Sequence, residues 1–191
     1  KLPPFIATLG MKYILNSASL LLAGGASVYY ASSFYTKFSK SNFLFLPIPF
    51  WTALVMLITT YIVLHRTKTG ANIYAIGGNV EALAVAGIKV SKAHTKAYVY
   101  AGIMGAIGGL VTACRVASGQ PTVGDGMEFN AVAAVLLGGT RLREGEGDVT
   151  GTIFGVWYIS VIKNGLTLIR LQSIYHQLII GSMVVIAIVV D

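Results

Sequence analysis

Charge is scarce in this 191-residue chain. Only 11% of its residues are Asp, Glu, Lys or Arg, and just 7 are acids. An average soluble domain carries about 25% charged residues. So few ionic side chains cannot furnish the polar shell that a soluble protein of this size needs. A hydrophobic content of 55% likewise excludes a disordered tail, and the composition excludes a nucleic-acid binder. Cysteine is nearly absent: Cys114 alone can form no internal disulfide and no thiolate metal site, and it reads as a small buried residue in an apolar stretch. Catalytic patterns are missing too. His65, His94 and His176 have no metal-ligand spacing. There is no Gly-x-Ser-x-Gly elbow and no phosphate loop ending in Gly-Lys-Ser/Thr. Leu137-Gly138-Gly139-Thr140 and Gly145-Glu146-Gly147 are rich in glycine but lack the phosphate-binding lysine. No enzyme, metal or cofactor is expected, and ATP is not expected to bind this chain.

What the chain does have is apolar length, with a mean hydropathy of +0.73. The expected fold is an all-α integral membrane protein, a single domain over 1–191 with about five to six membrane segments. A span needs roughly 20 mostly apolar residues. Leu46–Leu64 is the cleanest, with Trp51 and Tyr61 toward its ends as interfacial aromatics. Ala97–Val116, Val149–Ile169 and Ile174–Val190 follow, and Pro4–Leu22 is weakened by Lys12 and Asn16. Phe129–Gly139 is apolar but short, a half-helix or re-entrant segment. The ends of the chain, Lys1 with no signal-peptide pattern and an apolar run stopping at Asp191, read as those of a fragment of a longer membrane protein.

Basic residues set the expected orientation. Positions 65–96 hold Arg66, Lys68, Lys89, Lys92 and Lys96 against one acid, Glu81, whereas 118–128 hold Asp125 and Glu128 and no base. The positive-inside rule puts the first stretch in the cytoplasm and the second outside. Arg141 and Arg143 agree with a cytoplasmic Thr140–Asp148, and Lys37 and Lys40 go against the rule.

Ala97, Ala101, Gly105, Gly109 and Ala113 recur every four residues, a small-residue stripe suited to helix packing in lipid. Its partner helix lies either in this chain or in another subunit. Polar residues at membrane depth are functional candidates. Asn164, Gln120 and Asn130 are the candidates for a translocation path. For Asn164 the competing reading is an interhelical hydrogen bond worth about 1 kcal/mol. For Gln120, in the turn-rich Gln120–Gly126 loop, it is a plain connector.

The cytoplasmic loop 65–96 is too long for a simple turn. Gly77 and Gly78 break what precedes them, Asn79 suits an N-cap, and Glu81 falls in the first turn, where the helix dipole favours an acid. Gly87 suits a left-handed stop. These residues predict a helix of about two turns outside the membrane. They leave two roles open: lying on anionic lipid with Lys89 and Lys92 on phosphates, or docking a cytoplasmic partner.

The pattern Glu81-Ala82-x4-Gly87-Ile88 resembles the coupling motif of ABC importer permeases, with Leu83 in place of the motif's second Ala. Pro4-Phe5-Ile6-Ala7-Thr8-Leu9-Gly10, Tyr74-Ala75-Ile76-Gly77-Gly78-Asn79, Ser118-Gly119-Gln120-Pro121-Thr122, Ala131 through Thr140, and Asn164-Gly165-Leu166 are similar to the monosaccharide branch of those permeases. Lys163 departs from the branch, which usually has a neutral residue there. The resemblance implies the C-terminal part of a permease in a bacterial inner membrane. It implies a coupling contact through Asn79, Glu81, Ala82, Gly87 and Ile88 with a separate cytoplasmic ATPase. It also implies an extracytoplasmic sugar-binding protein and a second permease copy; membrane lipid is the surrounding partner, and no nucleic acid is expected. Importers of branched-chain amino acids or nucleosides, and carriers or channels without an ATPase, are the alternatives.

Overall fold

The computed structural model describes residues 4–29, 33–78, 80–141 and 145–190. In chain order the elements are α1 (Pro4–Leu22), β1 (Val28–Tyr29), α2 (Ser33–Lys40), β2 (Asn42–Phe43), β3 (Leu46–Pro47), α3 (Ile48–Arg66), α4 (Lys68–Gly78), α5 (Val80–Val85), α6 (Val90–Val116), β4 (Ser118–Gly119), α7 (Met127–Leu137), α8 (Val149–Leu168) and α9 (Ser173–Val190). Every apolar stretch read from the sequence is a helix, and the short one is α7. The strands are two-residue antiparallel ladders, a small amendment to an all-α fold: β1 pairs β4, and β2 pairs β3. The helices α2 and α4 go beyond the sequence expectation.

Two helices among the described residues, α3 and α6, are long and apolar enough to cross a membrane. At 1.5 Å per residue they measure about 28 and 40 Å. The helix α3 buries none of its residues within the chain. Apolar side chains such as Val55, Ile58, Ile62, Val99, Ile103 and Leu110 are exposed, the arrangement expected of helices whose solvent is lipid.

The chain divides into two compact units, Lys1–Ala53 with Ile103–Asp125, and Leu54–Gly102 with Gly126–Asp191. In the first, Leu44 and Phe45 turn the β2–β3 hairpin with positive φ, and the Trp51 indole N–H donates to the Phe43 carbonyl at 2.9 Å. Lys12, in the middle of α1, lies 3.8 Å from Asp125. This pairing offers the lysine an opposite charge in a helix that holds no other charged residue.

The second unit holds the core. Ala133 and Ala134 of α7, Ile159 of α8 and Ile180 of α9 are buried together, with Leu137 and Val184 against them. Small residues make this possible. A Cβ on Gly155 would strike the carbonyl oxygen of Ala134, and one on Gly151 the carbonyl oxygen of Gly138. Two small-x3-small pairs, Ala134/Gly138 and Gly151/Gly155, therefore bring α7 and α8 into backbone contact. The stripe on α6 behaves differently: a Cβ at Gly105 or Gly109 would meet nothing within 4 Å, and Ala101, Gly105 and Gly109 are exposed.

Replacing Gly155 with Val should lower the stability of the purified chain by about 2 kcal/mol, because overpacking here displaces backbone. Gly102→Ala on α6, where a Cβ meets nothing, should leave stability unchanged or slightly raised. Thermal unfolding in detergent compares the two.

Candidate functional site

The segment after α3 folds as two helices in series. Thr67 starts the first, accepting the Gly70 N–H on its hydroxyl at 3.2 Å, and α4 runs to the Gly77-Gly78 pair. The next helix, α5, has six residues, under two turns, and packs on α4. It ends as the sequence predicts: Gly87 adopts φ +75, and the Ile88 N–H donates to the Leu83 carbonyl at 3.1 Å. That six-to-one bond with a left-handed glycine is a Schellman stop. Leu83, the departure from the coupling motif, is buried at 6% exposure and fastens α5 to the protein. Asn79 lies outside the described residues. Gly87 is exposed and Ile88 half-buried.

A clasp not read from the sequence joins this segment to the loop between α7 and α8. Gly77 and Gly145 touch through their backbones, so that a Cβ on either would collide with the other's Cα. Gly145 takes φ +66 in making the approach. Close by, the Tyr74 hydroxyl donates to the Gly147 carbonyl at 2.8 Å. The loop itself is closed by the Arg141 N–H donating to the Glu146 carbonyl at 2.8 Å, with the two side chains 3.8 Å apart.

His65, at the end of α3, forms the third contact. Its ring stacks on Tyr61 at 4.5 Å and meets Tyr74 edge-on at 6.1 Å. Its Nε2 lies 3.3 Å from the Asp148 carboxylate and its Nδ1 3.3 Å from the Tyr61 carbonyl, so both ring nitrogens face acceptors. Asp148 precedes α8. The Thr150 hydroxyl donating to it holds its carboxyl below the usual range; the Thr150 and Val149 N–H groups and His65 act in the same direction, against desolvation. Desolvation, then the Asp148 charge, pushes the Tyr74 hydroxyl up, which keeps it a donor. Leu57, Thr60, Leu64, Ile73 and Val135 line a largely apolar cavity of about 380 Å³ beside these groups. The glycine runs are visible in the sequence, where they speak only of missing phosphate chemistry; close backbone approach is the signal they carry.

Two of the three polar path candidates have ordinary local partners. The Gln120 amide donates to the Ser118 hydroxyl at 3.1 Å, and the Asn130 amide to the Gly126 carbonyl at 3.2 Å. Asn164 is exposed on α8. Among the described residues no group of three or more His, Cys, Asp or Glu side chains is placed to hold a metal ion.

The family described as the permease component of branched-chain amino acid transport systems matches residues 1–188. The ribose import permease protein of Bacillus subtilis (strain 168) is 36% identical over all of this chain and 60% of its own length. That of Escherichia coli (strain K12) is 33% identical over 98% of this chain and 60% of its own. The L-arabinose transport system permease protein of Escherichia coli (strain K12) is 28% identical over all of this chain and 58% of its own. The chain thus spans about three-fifths of the length of the curated relatives it matches. No solved structure matches it.

Tyr74→Phe, which removes one donor from the clasp, should cost about 1 kcal/mol, a fall of about 2–4 °C in Tm. Gly77→Val should cost more, because it forces the backbones apart. The depressed Asp148 pKa carries a pH signature. Its stabilisation is present above the unfolded carboxylate pKa of about 3.9 and is lost as pH falls through the lower folded value. The Tm difference between wild type and Asp148→Asn should therefore be constant at neutral pH and close in acid.

Proposed function

Because the chain belongs to the permease-component family of branched-chain amino acid transport systems, we propose that it is membrane-spanning machinery of an ATP-driven importer in a bacterial plasma membrane. Its substrate is a pentose or hexose delivered by an extracytoplasmic binding protein. The similarity along the whole of this chain to permeases named for ribose, allose and arabinose supports the sugar reading. The observation that carries the importer mechanism is the stopped helix α5 on α4, clasped through Tyr74, Gly77 and His65 to the α7–α8 loop.

The proposed mechanism is mechanical. Asn79, Glu81, Ala82, Gly87 and Ile88 contact a separate cytoplasmic ATPase that performs all hydrolysis. A short helix with a defined stop moves as a body when that ATPase closes. The clasp passes the displacement to the start of α8, and α8 carries α7 with it because their backbones touch. The bundle, of five to six membrane segments, then rocks between inward- and outward-open states. Gln120, Asn130 and Asn164 offer amides to sugar hydroxyls, since an amide both donates and accepts. The Ala97–Ala113 stripe, open along Gly105 and Gly109, packs against a helix of a second permease copy. The description of the matching family favours one second reading, import of a branched-chain amino acid through the same coupling machinery.

Uptake of labelled pentoses, hexoses and leucine by cells expressing the full permease with its ATPase and binding protein tests both readings. Sugar uptake should fall to background in Gly87→Pro, since proline cannot adopt φ +75, and in Glu81→Lys. Permease abundance and sugar capture by the binding protein should be unchanged. Wild-type sugar uptake in either variant sinks the coupling assignment, and leucine uptake alone replaces the sugar.

A further inference from the structure

A second cavity, of about 290 Å³, opens between α4 and the start of α6. Thr69 and Asn72 line it from α4, Ile88 and Lys89 from the stop after α5, and Lys92 and Lys96 from the first two turns of α6, with buried Ala93 behind them. Three lysines thus converge on one concavity with a hydroxyl and an amide. Among the described residues no carboxylate lies within ion-pair distance of any of the three.

The depth of the cavity selects its occupant. The apolar part of α6 begins at Ala97. Counting back at 1.5 Å per residue puts Lys96 at the hydrocarbon edge and Lys92 about 6 Å beyond it. The headgroup layer on each side of a bilayer is roughly 5–8 Å thick. Lys92 and Lys96 therefore fall in the layer of lipid phosphates, with Lys89 on its aqueous side, and the preceding basic stretch fits the anionic cytoplasmic leaflet.

We propose that Thr69, Asn72, Lys89, Lys92 and Lys96 form a binding site for the phosphate of an anionic phospholipid headgroup. The bound lipid bridges α4 to α6 immediately beside the α5 stop. It ties the coupling segment to the membrane surface and makes its stiffness depend on lipid composition. The site does not depend on which solute is carried.

Native mass spectrometry of the full permease in mild detergent, titrated with phosphatidylglycerol, phosphatidylcholine or inorganic phosphate, tests the proposal. The expected result is one phosphatidylglycerol retained per chain, with neither phosphatidylcholine nor inorganic phosphate held. The double substitution K89Q/K92Q should weaken that retention about tenfold or more. K37Q/K40Q, an equal loss of charge on α2, should leave it intact. K89R/K92R should retain the lipid, which separates lost charge from lost folding. Undiminished retention by K89Q/K92Q, or equal weakening by K37Q/K40Q, overturns the site. Saturable binding of inorganic phosphate that displaces the lipid overturns the lipid as its occupant. Loss of sugar uptake with lipid retention intact would bear on the transport reading alone.

Discussion

A carbonyl oxygen of α7 stands where a side chain at Gly155 of α8 would be, and the second unit is organised around that contact. Lipid supplies no hydrophobic drive between helices, so two helices associate there through close packing. Ala134, Gly138, Gly151 and Gly155 allow that approach, and the buried cluster of Ala133, Ala134, Ile159 and Ile180 forms around it. The core is small because its residues are small. Most of the large apolar side chains, including Phe154, Trp157 and Leu178, face outward.

The same device recurs outside the helices. Gly77 and Gly145 meet as Gly138 and Gly151 do, with no side chain between them. A contact between backbones has little slack, because neither partner has a rotamer to change. On the path from α5 through α4 to the α7–α8 loop and on to α8, the Gly77–Gly145 step is such a contact, reinforced by the Tyr74 hydroxyl and the His65–Asp148 pair. This rigidity makes the module suited to carrying displacement.

Much of this is legible in the residues. Apolar length places five helices to within two residues, and α6 begins seven residues before its apolar run. The glycine at 87 marks the stop because a left-handed residue is needed there. Family resemblance is what singles out 79–88 as the coupling segment proposed above. What cannot be read is tertiary. In the sequence, Gly145 belongs to a run notable only for lacking a phosphate-binding lysine, and its closeness to Gly77 depends on pairing elements far apart in the chain. The Ala97–Ala113 stripe has a clear periodicity, yet the small residues that meet inside the chain are those of α7 and α8, where the spacing is equally good but shorter. The amphipathic α2 and the polar start of α4 give no apolar run to notice. Lys12 weakens its span in the sequence because its neighbour Asp125 is more than a hundred positions away.

The shortness of α7 has a consequence for how the protein is made. Eleven residues reach about 16 Å, half of a hydrocarbon layer about 30 Å thick. Released alone into lipid during synthesis, such a helix would leave its unpaired terminal amides and carbonyls in hydrocarbon. Its partner, α8, follows at once in the chain, and the loop joining them is the clasp loop. An early hairpin with α8 covers one side of α7, and Gly151 and Gly155 give the room for it.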